Sequence, residues 1–444
     1  MINGDTIFAL STAAGKAGVA VVRTSGPRAL DIAQDLSPNV PLEVGNIQYC
    51  GFQTPDGSII DRGLRLIFHK PRSFTGEDCV EYHIHGGRAV IDKLLSVLAG
   101  HGLRPAEAGE FTRRAFDNDK LDLTAAEGLA DLIDAETEAQ RRQAFVQMEG
   151  HLGKLVESWR ASLIGAMALM EAEIDFADED LPDDLSQQIY PAITQVLQEI
   201  QNHLNDRQVG ERLRDGVRIA ILGAPNVGKS SLINALSQRD LAIVSDISGT
   251  TRDILEVHLD LNGVPVLMAD TAGLRESDDA IEAEGVRRAQ NRAQESDLRC
   301  FVGDKSKPQT FEGEGILDHF QEGDLLVLNK SDLLVSESGP TPSGTISISV
   351  KTGDGLDYLI ECLSDRVKDI AWPSEAPRIT RQRHRLSLQE VVHQLNDLLT
   401  HQDREVALRA ESLRLAVRSL GRITGRVDVE DMLDIVFSDF CIGK

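Results

Sequence analysis

Apolar positions along the chain change spacing three times, and each change marks a different kind of structure. In residues 1–119, short apolar runs at Thr6–Leu10, Val19–Arg23, Leu64–Phe68 and Val80–Ile84 read as strands. Pro27–Leu36 and Ala89–Leu98 place apolar residues at helical spacing, so this stretch predicts a small α+β domain. From about Leu121 the pattern becomes helical and carries few breakers as far as Ile174. Thr124-Ala-Ala-Glu127 and Thr137-Glu-Ala-Gln140 both read as capping boxes. An acid-rich loop over Asp175–Asp184 interrupts the pattern and reads as a solvated turn, and helix resumes from Pro191 to about Leu213.

Between residues 215 and 372, buried apolar runs at Ile219–Leu222, Val264–Ala269 and Leu325–Leu328 predict a mostly parallel sheet. Asn262-Gly263 lies between the runs Ile254–Leu261 and Val264–Ala269, the signal of a two-residue hairpin and so of one antiparallel edge strand. Ile281–Gln294 reads as helix, and residues 304–322 and 335–344 as polar loops. After Trp372-Pro373 the helical pattern returns at Leu386–Leu399, Ala407–Leu420 and Val429–Phe437. The expected organisation is multidomain α/β plus α: an N-terminal α+β domain (1–119), a helical domain split into 120–214 and 373–444, and an α/β domain (215–372) inserted into it.

Composition changes this picture only slightly. A chain of 444 residues, 41% hydrophobic and 26% charged, has the make-up of an ordinary globular protein. No apolar run reaches membrane-spanning length, and MINGDTIFAL has no basic stretch before an apolar one, so a cytoplasmic protein without membrane contact is expected. Cys50, Cys79, Cys300, Cys362 and Cys441 are scattered without a C-x-x-C, which argues against a disulfide framework or a zinc site. A net charge of −25 opposes non-specific attraction to nucleic acid, so any RNA contact is local or supplied by a partner.

The chemistry is concentrated where the first buried run of the α/β domain ends. Gly223-Ala-Pro-Asn226-Val227-Gly228-Lys229-Ser230 fits G-x-x-x-x-G-K-[ST] and continues into Ser231. Its glycines let backbone N–H groups curl around phosphate oxygens, Lys229 brings charge to the β/γ-phosphates, and Ser230 offers a hydroxyl to Mg²⁺. Asp270-Thr271-Ala272-Gly273 ends the second run, with a carboxylate placed for an outer Mg²⁺ contact and a glycine beside the γ-phosphate. Asn329-Lys330-Ser331-Asp332 follows the third, and the Asp332 carboxylate can accept from guanine N1–H and its 2-amino group. Ser349-Val350-Lys351 stands where a backbone contact to guanine O6 belongs, and Thr250-Thr251 supplies a switch threonine for Mg²⁺. These motifs, in this order, predict a guanine-nucleotide-binding domain.

Leu274 occupies the position where many relatives carry a water-orienting glutamine, so charge and orientation must come from elsewhere. An Asn226 amide oxygen with backbone carbonyls of the Ser245–Thr250 loop would hold potassium, or Asn226 would simply cap the loop. Glu282 is a candidate for orienting water. In the N-terminal domain, Arg23, Ser73–Asp78, Glu81, His83, His85–Gly87, Glu110–Arg114 and Asn118–Lys120 are candidates for lining a pocket. His83 and His85 have no acidic or cysteine partner at metal-like spacing and read as ordinary strand histidines.

Along its full length the chain resembles the bacterial GTPases that modify the tRNA wobble uridine, the MnmE/TrmE family. The resemblance is carried by Gly223–Ser231, Ser245–Asp253, Asp270–Arg275, Phe74–Asp78 with His85–Gly87, Asn118–Asp122 and the terminal Cys441-Ile-Gly-Lys444. It implies a homodimer formed through an N-terminal domain that binds a tetrahydrofolate derivative (5-formyl or 5,10-methylene) by Arg23, Glu81, Lys120 and Lys444. It further implies GTP held by residues 226–231, by Ser245, Asp246, Ile247, Ser248, Gly249, Thr250 and Thr251, by 270–273 and by the guanine motifs. Mg²⁺ would be held by Ser230 and Thr251, K⁺ by Asn226, Ser245, Ile247 and Thr250, and hydrolysis assisted by Glu282. Such proteins form a heterotetramer with an FAD-dependent subunit and act on tRNA. Cys441 lies where a nucleophilic or redox role is attractive, though a small buried thiol fits the residue equally.

Arg299 departs from the family pattern by interrupting an apolar strand, so either the strand starts at Cys300 or Arg299 points outward. Two rival readings are a ribosome-assembly GTPase switch without modification chemistry and a folate enzyme merely regulated by GTP. The first calls for a basic RNA-binding surface, for which Arg378–Arg385 is the best cluster unless it forms one helix face.

Overall fold

The computed structural model describes residues 4–43, 45–175, 185–239, 241, 256–270, 294–307, 320–333, 344–372, 376–427, 430–438, 440 and 442–443. Their contacts divide the chain into two compact units. One comprises Met1–Ala130, Met148–Arg160 and Arg418–Lys444, the other Asp131–Gln147 and Ala161–Val417.

The first unit is built on a sheet of β1 (Ile7–Leu10), β2 (Ala17–Ser25), β3 (Gln48–Gln53), β4 (Ile59–Phe68), β5 (Cys79–Gly86) and β6 (Arg104–Pro105) in the order β3-β4-β5-β2-β1-β6. Helices α1 (Ala29–Leu36) and α2 (Arg88–Gly100) bury Ile32, Leu36, Leu94 and Leu98 against Val22, Val80 and Tyr82 on one sheet face. The alternate residues of β1, Ile7 and Ala9, face the other way and meet Phe111 of α3 (Glu110–Asp117).

Two of these elements escape the sequence pattern. Strand β3, QYCGFQ, mixes polar and apolar residues and contains no continuous apolar run. Residues 110–117 read as pocket-lining loop from the sequence, but they form a helix whose buried side carries Phe111, Thr112, Arg114 and Ala115. The buried guanidinium of Arg65 ties β4 to α1, to the loop before β3 and to β3 itself, donating to the carbonyls of Ala33, Val40 and Pro41 and to Gln48 Oε1.

The same unit contains α4 (Leu123–Asp134, to Ala130) and the C-terminal α13 (Glu430–Ser438). Leu433, Phe437 and Phe440 pack on Phe116, Leu123 and Ala126. Gly109 has φ +66°, and a Cβ there would lie 2.4 Å from the Phe437 carbonyl oxygen, so only glycine permits this approach. Thr124 does not cap α4. The cap is Asp122, whose Oδ1 accepts from Ala125 N–H at 2.8 Å, because it stands one residue before the helix whereas Thr124 is already inside it. The second box forms as expected: Gln140 Oε1 accepts from Thr137 N–H at 3.0 Å while Thr137 Oγ1 accepts from Gln140 N–H at 3.4 Å.

The second unit holds α5 (Glu138–Met148, to Gln147), most of α6 (His151–Asp175), α7 (Leu185–Leu204) and α8 (Val209–Asp215). Helix α7 begins six residues before Pro191, which is tolerated inside it, and a break at 205–208 separates α7 from α8. The sheet follows: β7 (Val217–Leu222), α9 (Lys229–Ser237), β8 (Glu256–Leu261), β9 (Val264–Asp270), β10 (Leu298–Asp304), β11 (Leu325–Asn329), β12 (Ile346–Ser347) and α10 (Leu356–Ile370). Strand order is β12-β11-β10-β7-β9-β8, with β8 antiparallel to β9 and the other pairs parallel. The hairpin at Asn262-Gly263, with φ of +55° and +89°, supplies the expected antiparallel edge. Helices α11 (Gln382–Thr400) and α12 (Val406–Thr424) follow, α11 packing on α7.

Arg299 obeys neither sequence expectation. Strand β10 starts at Leu298, and Arg299 is buried, its Nε 2.9 Å from Asp324 Oδ2 and its Nη2 donating to Gln321 Oε1 at 2.7 Å. A partner on the next loop therefore makes the charge tolerable inside the sheet. Arg378–Arg385 is likewise consumed internally. Arg381 pairs with Asp131 at 2.8 Å, and Arg385 with Glu211 at 2.7 Å and Asp206 at 2.9 Å.

Replacing one partner of a buried pair strands the other charge. Asp324→Ala is expected to lower the stability of the α/β domain by about 3–5 kcal/mol. Arg299→Met combined with Asp324→Leu should recover most of that loss, as read from urea midpoints.

Candidate functional site

The nucleotide motifs converge at the carboxyl ends of β7, β10 and β11, the end at which open α/β sheets bind ligands. Strand β7 delivers the loop 223–228 to the start of α9. Gly223 has φ +150°, and a Cβ would sit 2.1 Å from the Val302 carbonyl oxygen. Gly228 has φ +101°, and a Cβ would sit 2.4 Å from Asn329 Nδ2. Both glycines are thus demanded by the backbone path as well as by approach to phosphate. Lys229 is buried and its ammonium donates to the Gly223 and Ala224 carbonyls at 2.7 and 3.0 Å, inside the curl of the loop. Ser230 and Ser231 are exposed on the first turn of α9.

Asn329 ties the base motif to the phosphate loop. Its Nδ2 donates to the Val227 carbonyl at 2.9 Å, while its Oδ1 accepts from the backbone N–H groups of Lys330 at 2.8 Å and Val350 at 3.1 Å. Lys330 Nζ donates to the Asn226 carbonyl at 2.9 Å. Ser349 Oγ donates to Asp332 Oδ1 at 2.8 Å, aiming the exposed carboxylate. Residues 226–230, 329–332 and 349–350 are therefore joined in one hydrogen-bonded constellation, with Lys351 exposed at its edge. Asp270 ends β9, paired with Ile221. Its side chain, Ser245 through Thr251, Thr271–Gly273 and Glu282 lie outside the described residues.

Sequence reasoning missed Asp304, assigning it to a polar loop. It ends β10 and is buried, with Lys330 Nζ at 2.6 Å and Ser306 Oγ at 2.6 Å. Burial alone would raise its carboxyl, but these hydrogen bonds win and hold it below the ordinary value. The signal available in the sequence was an acid two residues beyond the apolar run Cys300–Val302.

In the first unit, Arg23 and Glu81 are register partners on β2 and β5. The guanidinium donates to Glu81 Oε1 at 3.0 and 2.8 Å and lies 5.5 Å from the Phe74 ring centroid and 5.7 Å from that of Phe111. His83 Nε2 lies 3.3 Å from Glu81 Oε2, and His85 pairs with Asp61, both ordinary partners for strand histidines. No cluster of three or more His, Cys, Asp or Glu residues suited to hold a metal ion occurs among the described residues. Loop 73–78 carries Phe74 beside Arg23, and its Gly76 backs onto Asn118 and the Lys120 stem.

That loop is anchored from beneath. Arg114, expected at a pocket wall, is buried and donates to Glu77 at 3.0 Å, Asp5 at 2.8 Å and Glu110 at 3.0 Å. Arg104 joins Asp5 at 2.8 Å and Glu110 at 2.6 Å, and Ser25 Oγ donates to Glu77 Oε2 at 2.6 Å. Burial would raise the Glu110 carboxyl, but the bonds from Arg104 and the Glu107 backbone, then Arg114, hold it low. Asp5 is lowered in the same way, with Arg104 and Arg114 overcoming desolvation.

The C-terminal tail closes onto the same unit. Ile442 forms an antiparallel bridge with Ala108, and Ser11 Oγ donates to the Gly443 carbonyl at 3.0 Å. Gly443 has φ +101°, and a Cβ there would lie 2.2 Å from the Leu10 carbonyl oxygen. Cys441 and Lys444 lie outside the described residues.

Two outcomes follow from this geometry. Gly223→Ala should abolish GTP binding, measured by fluorescent-nucleotide titration, because the Cβ collides with β10 backbone. Carboxylates held low stabilise the fold above their unfolded values and lose that contribution as pH falls through their folded values. The N-terminal unit should therefore lose stability below the ordinary carboxylate range, followed by circular dichroism, and Arg114→Met should flatten that acid dependence.

A family model described as the MnmE helical domain matches residues 123–441, and one described as the GTP-binding protein TrmE N-terminus matches residues 6–120. The chain is 53% identical to a tRNA modification GTPase MnmE of Parvibaculum lavamentivorans over 99% of this chain and 100% of that protein. It is 50% identical to one of Paramagnetospirillum magneticum over 99% and 100%. A solved structure of Aquifex aeolicus Era bound to GDP and aluminium fluoride is 24% identical over 42% of this chain and 68% of that one, with a TM-score of 0.27. With both models matched and half of its residues shared end to end with these relatives, the chain belongs to the MnmE family of tRNA modification GTPases.

Proposed function

We propose that the chain is a potassium-dependent GTPase which, with an FAD-dependent partner subunit, installs a (carboxymethyl)aminomethyl group at C5 of the tRNA wobble uridine in the cytoplasm. The observation that carries this reading beyond GTP hydrolysis is the fastening of Ile442 and Gly443 beside Ala108, Leu10 and Ser11, in the unit that holds Arg23 and Glu81. A nucleotide switch alone has no use for a tail secured there.

At the N-terminal site, Arg23, Glu81, Lys120 and Lys444 are assigned to a tetrahydrofolate derivative. The donor set fits such a group: Glu81, held in place by Arg23, can accept from a pterin edge, and Lys120 can receive a glutamyl carboxylate. The exposed Phe74 offers an aromatic wall beside Arg23. When bound, the folate supplies the one-carbon unit. Cys441, one residue before the docked Ile442, is assigned to the chemistry at that end. Exposed apolar residues on the N-terminal sheet, Val19, Tyr49, Ile59 and Leu64, support a homodimer formed through this domain. The heterotetramer with the FAD-dependent subunit follows the family.

At the nucleotide site, the Lys229 ammonium exchanges its loop carbonyls for the β- and γ-phosphate oxygens of GTP, and Asp332 reads guanine. Ser230 and Thr251 are assigned to Mg²⁺. Asn226 fits a monovalent cation through its exposed side chain, since its carbonyl is engaged by Lys330. Ser245, Ile247 and Thr250 would complete that set, and K⁺ held there would supply the charge that an arginine supplies elsewhere. Glu282 orients water in place of the glutamine that Leu274 replaces. No helix among the described residues is long and apolar enough to cross a membrane.

Mass spectrometry of wobble nucleosides tests the whole reading. Deletion of the gene should remove the 5-aminomethyl-type uridines, restored by the wild type and not by Asp270→Ala. Unchanged nucleosides together with a ribosomal-subunit imbalance would favour an assembly switch instead. GTP turnover should be at least about tenfold faster in K⁺ than in Na⁺, and Asn226→Ala should remove most of that difference.

A further inference from the structure

Asp304 lies outside every motif by which nucleotide binding is read, yet its carboxylate is committed to one of them. Oδ1 accepts from Ser306 N–H at 2.9 Å and Ser306 Oγ–H at 2.6 Å, fixing the plane of the group. Oδ2 then accepts from the Lys330 ammonium at 2.6 Å, and the same ammonium donates to the Asn226 carbonyl at 2.9 Å. Asp304 is 4% exposed, so this is an anchored, largely desolvated contact and unlike a loose surface pair.

The backbone at both ends of this contact is unusual. Lys330 has φ +65° and Asn226 φ +63°, both left-handed, a conformation that a lysine adopts only when its surroundings hold it there. Lysine also carries a flexible four-carbon stem with a point charge at its tip, and an unanchored tip samples many rotamers. Asp304 and Asn329 are register partners on β10 and β11, so the carboxylate sits on a rigid strand one residue across from Lys330.

We propose that Asp304 is a positioning residue for the nucleotide site. It holds the Lys330 ammonium on the Asn226 carbonyl, so that the Lys330 side chain and the phosphate-loop turn at Asn226 are set together. The base motif and the phosphate loop are thereby locked by two parallel ties: Asn329 to Val227, and Asp304 through Lys330 to Asn226. This inference rests on the reading of Asn329–Asp332 as the guanine motif.

The test is a double-mutant cycle on the full-length protein, reading the dissociation rate of fluorescent mant-GDP. Asp304→Asn keeps the shape and Ser306 contact but removes the charge. It should speed release about tenfold, and Lys330→Met should do at least as much. The double variant should release no faster than Lys330→Met alone, because Asp304 acts only through that ammonium. Additive effects, or wild-type release from Asp304→Asn, would overturn the proposal. Should Asp304→Asn fail to fold, Ser306→Ala withdraws one of the bonds that orient the carboxylate. It should give a smaller acceleration that disappears in the Lys330→Met background, and wild-type release from it would count against the proposal. Lys330→Met with unchanged release would sink the guanine-motif reading itself, an outcome distinct from loss of the Asp304 role alone.

Discussion

The nucleotide site depends on the carboxamide of Asn329. One small side chain has three hydrogen bonds, to the Val227 carbonyl and to the Lys330 and Val350 N–H groups, and they join segments far apart in sequence. Asn329 is 4% exposed, so none of these groups has water as an easy substitute. The closeness of the Gly228 backbone, where a Cβ would meet Asn329 Nδ2, is the other side of the same constraint. Phosphate loop, base motif and the 349–350 turn therefore form one object, and a change in any of them is felt by the others.

A comparable economy governs the N-terminal unit, though with charge in place of an amide. Arg104 and Arg114 gather Asp5, Glu77 and Glu110 beneath the sheet surface, and Glu77 draws loop 73–78 inward so that Phe74 stands beside Arg23. Arginine suits this task because its planar fork can serve several carboxylates at once. Many of the polar residues around Arg23 and Glu81 are engaged in holding this part of the unit in shape.

Much of this was legible in the chain. The strand–loop–helix context of Gly223–Ser231, the antiparallel edge predicted by Asn262-Gly263, and the succession of helices after Trp372 all reflect local rules of spacing and turn chemistry, which sequence carries directly. What stayed hidden depended on partners distant in sequence. Arg299 looked like a fault in a strand because Asp324 cannot be known as its neighbour before the sheet is formed. Arg114 looked like a ligand-binding residue because its three carboxylates come from the N-terminal segment, a loop and its own helix. Strand β3 lacked an apolar run because a polar residue, Gln48, is buried against Arg65. The basic run at 378–385 shows the converse, a pattern conspicuous in sequence whose charges the fold consumes.

The membership of residues 418–444 in the first unit bears on the order in which the protein is made. Synthesis delivers residues 1–130 first, but the surface of Phe116, Leu123 and Ala126 is covered by Leu433, Phe437 and Phe440. Ala108 and Leu10 likewise gain their contacts with the tail only when Ile442 and Gly443 emerge. The intervening α/β sheet has its own core and needs nothing from that tail. A ribosome making this chain thus carries an N-terminal unit with an open flank while the α/β sheet completes itself, and the unit that is begun first is finished last.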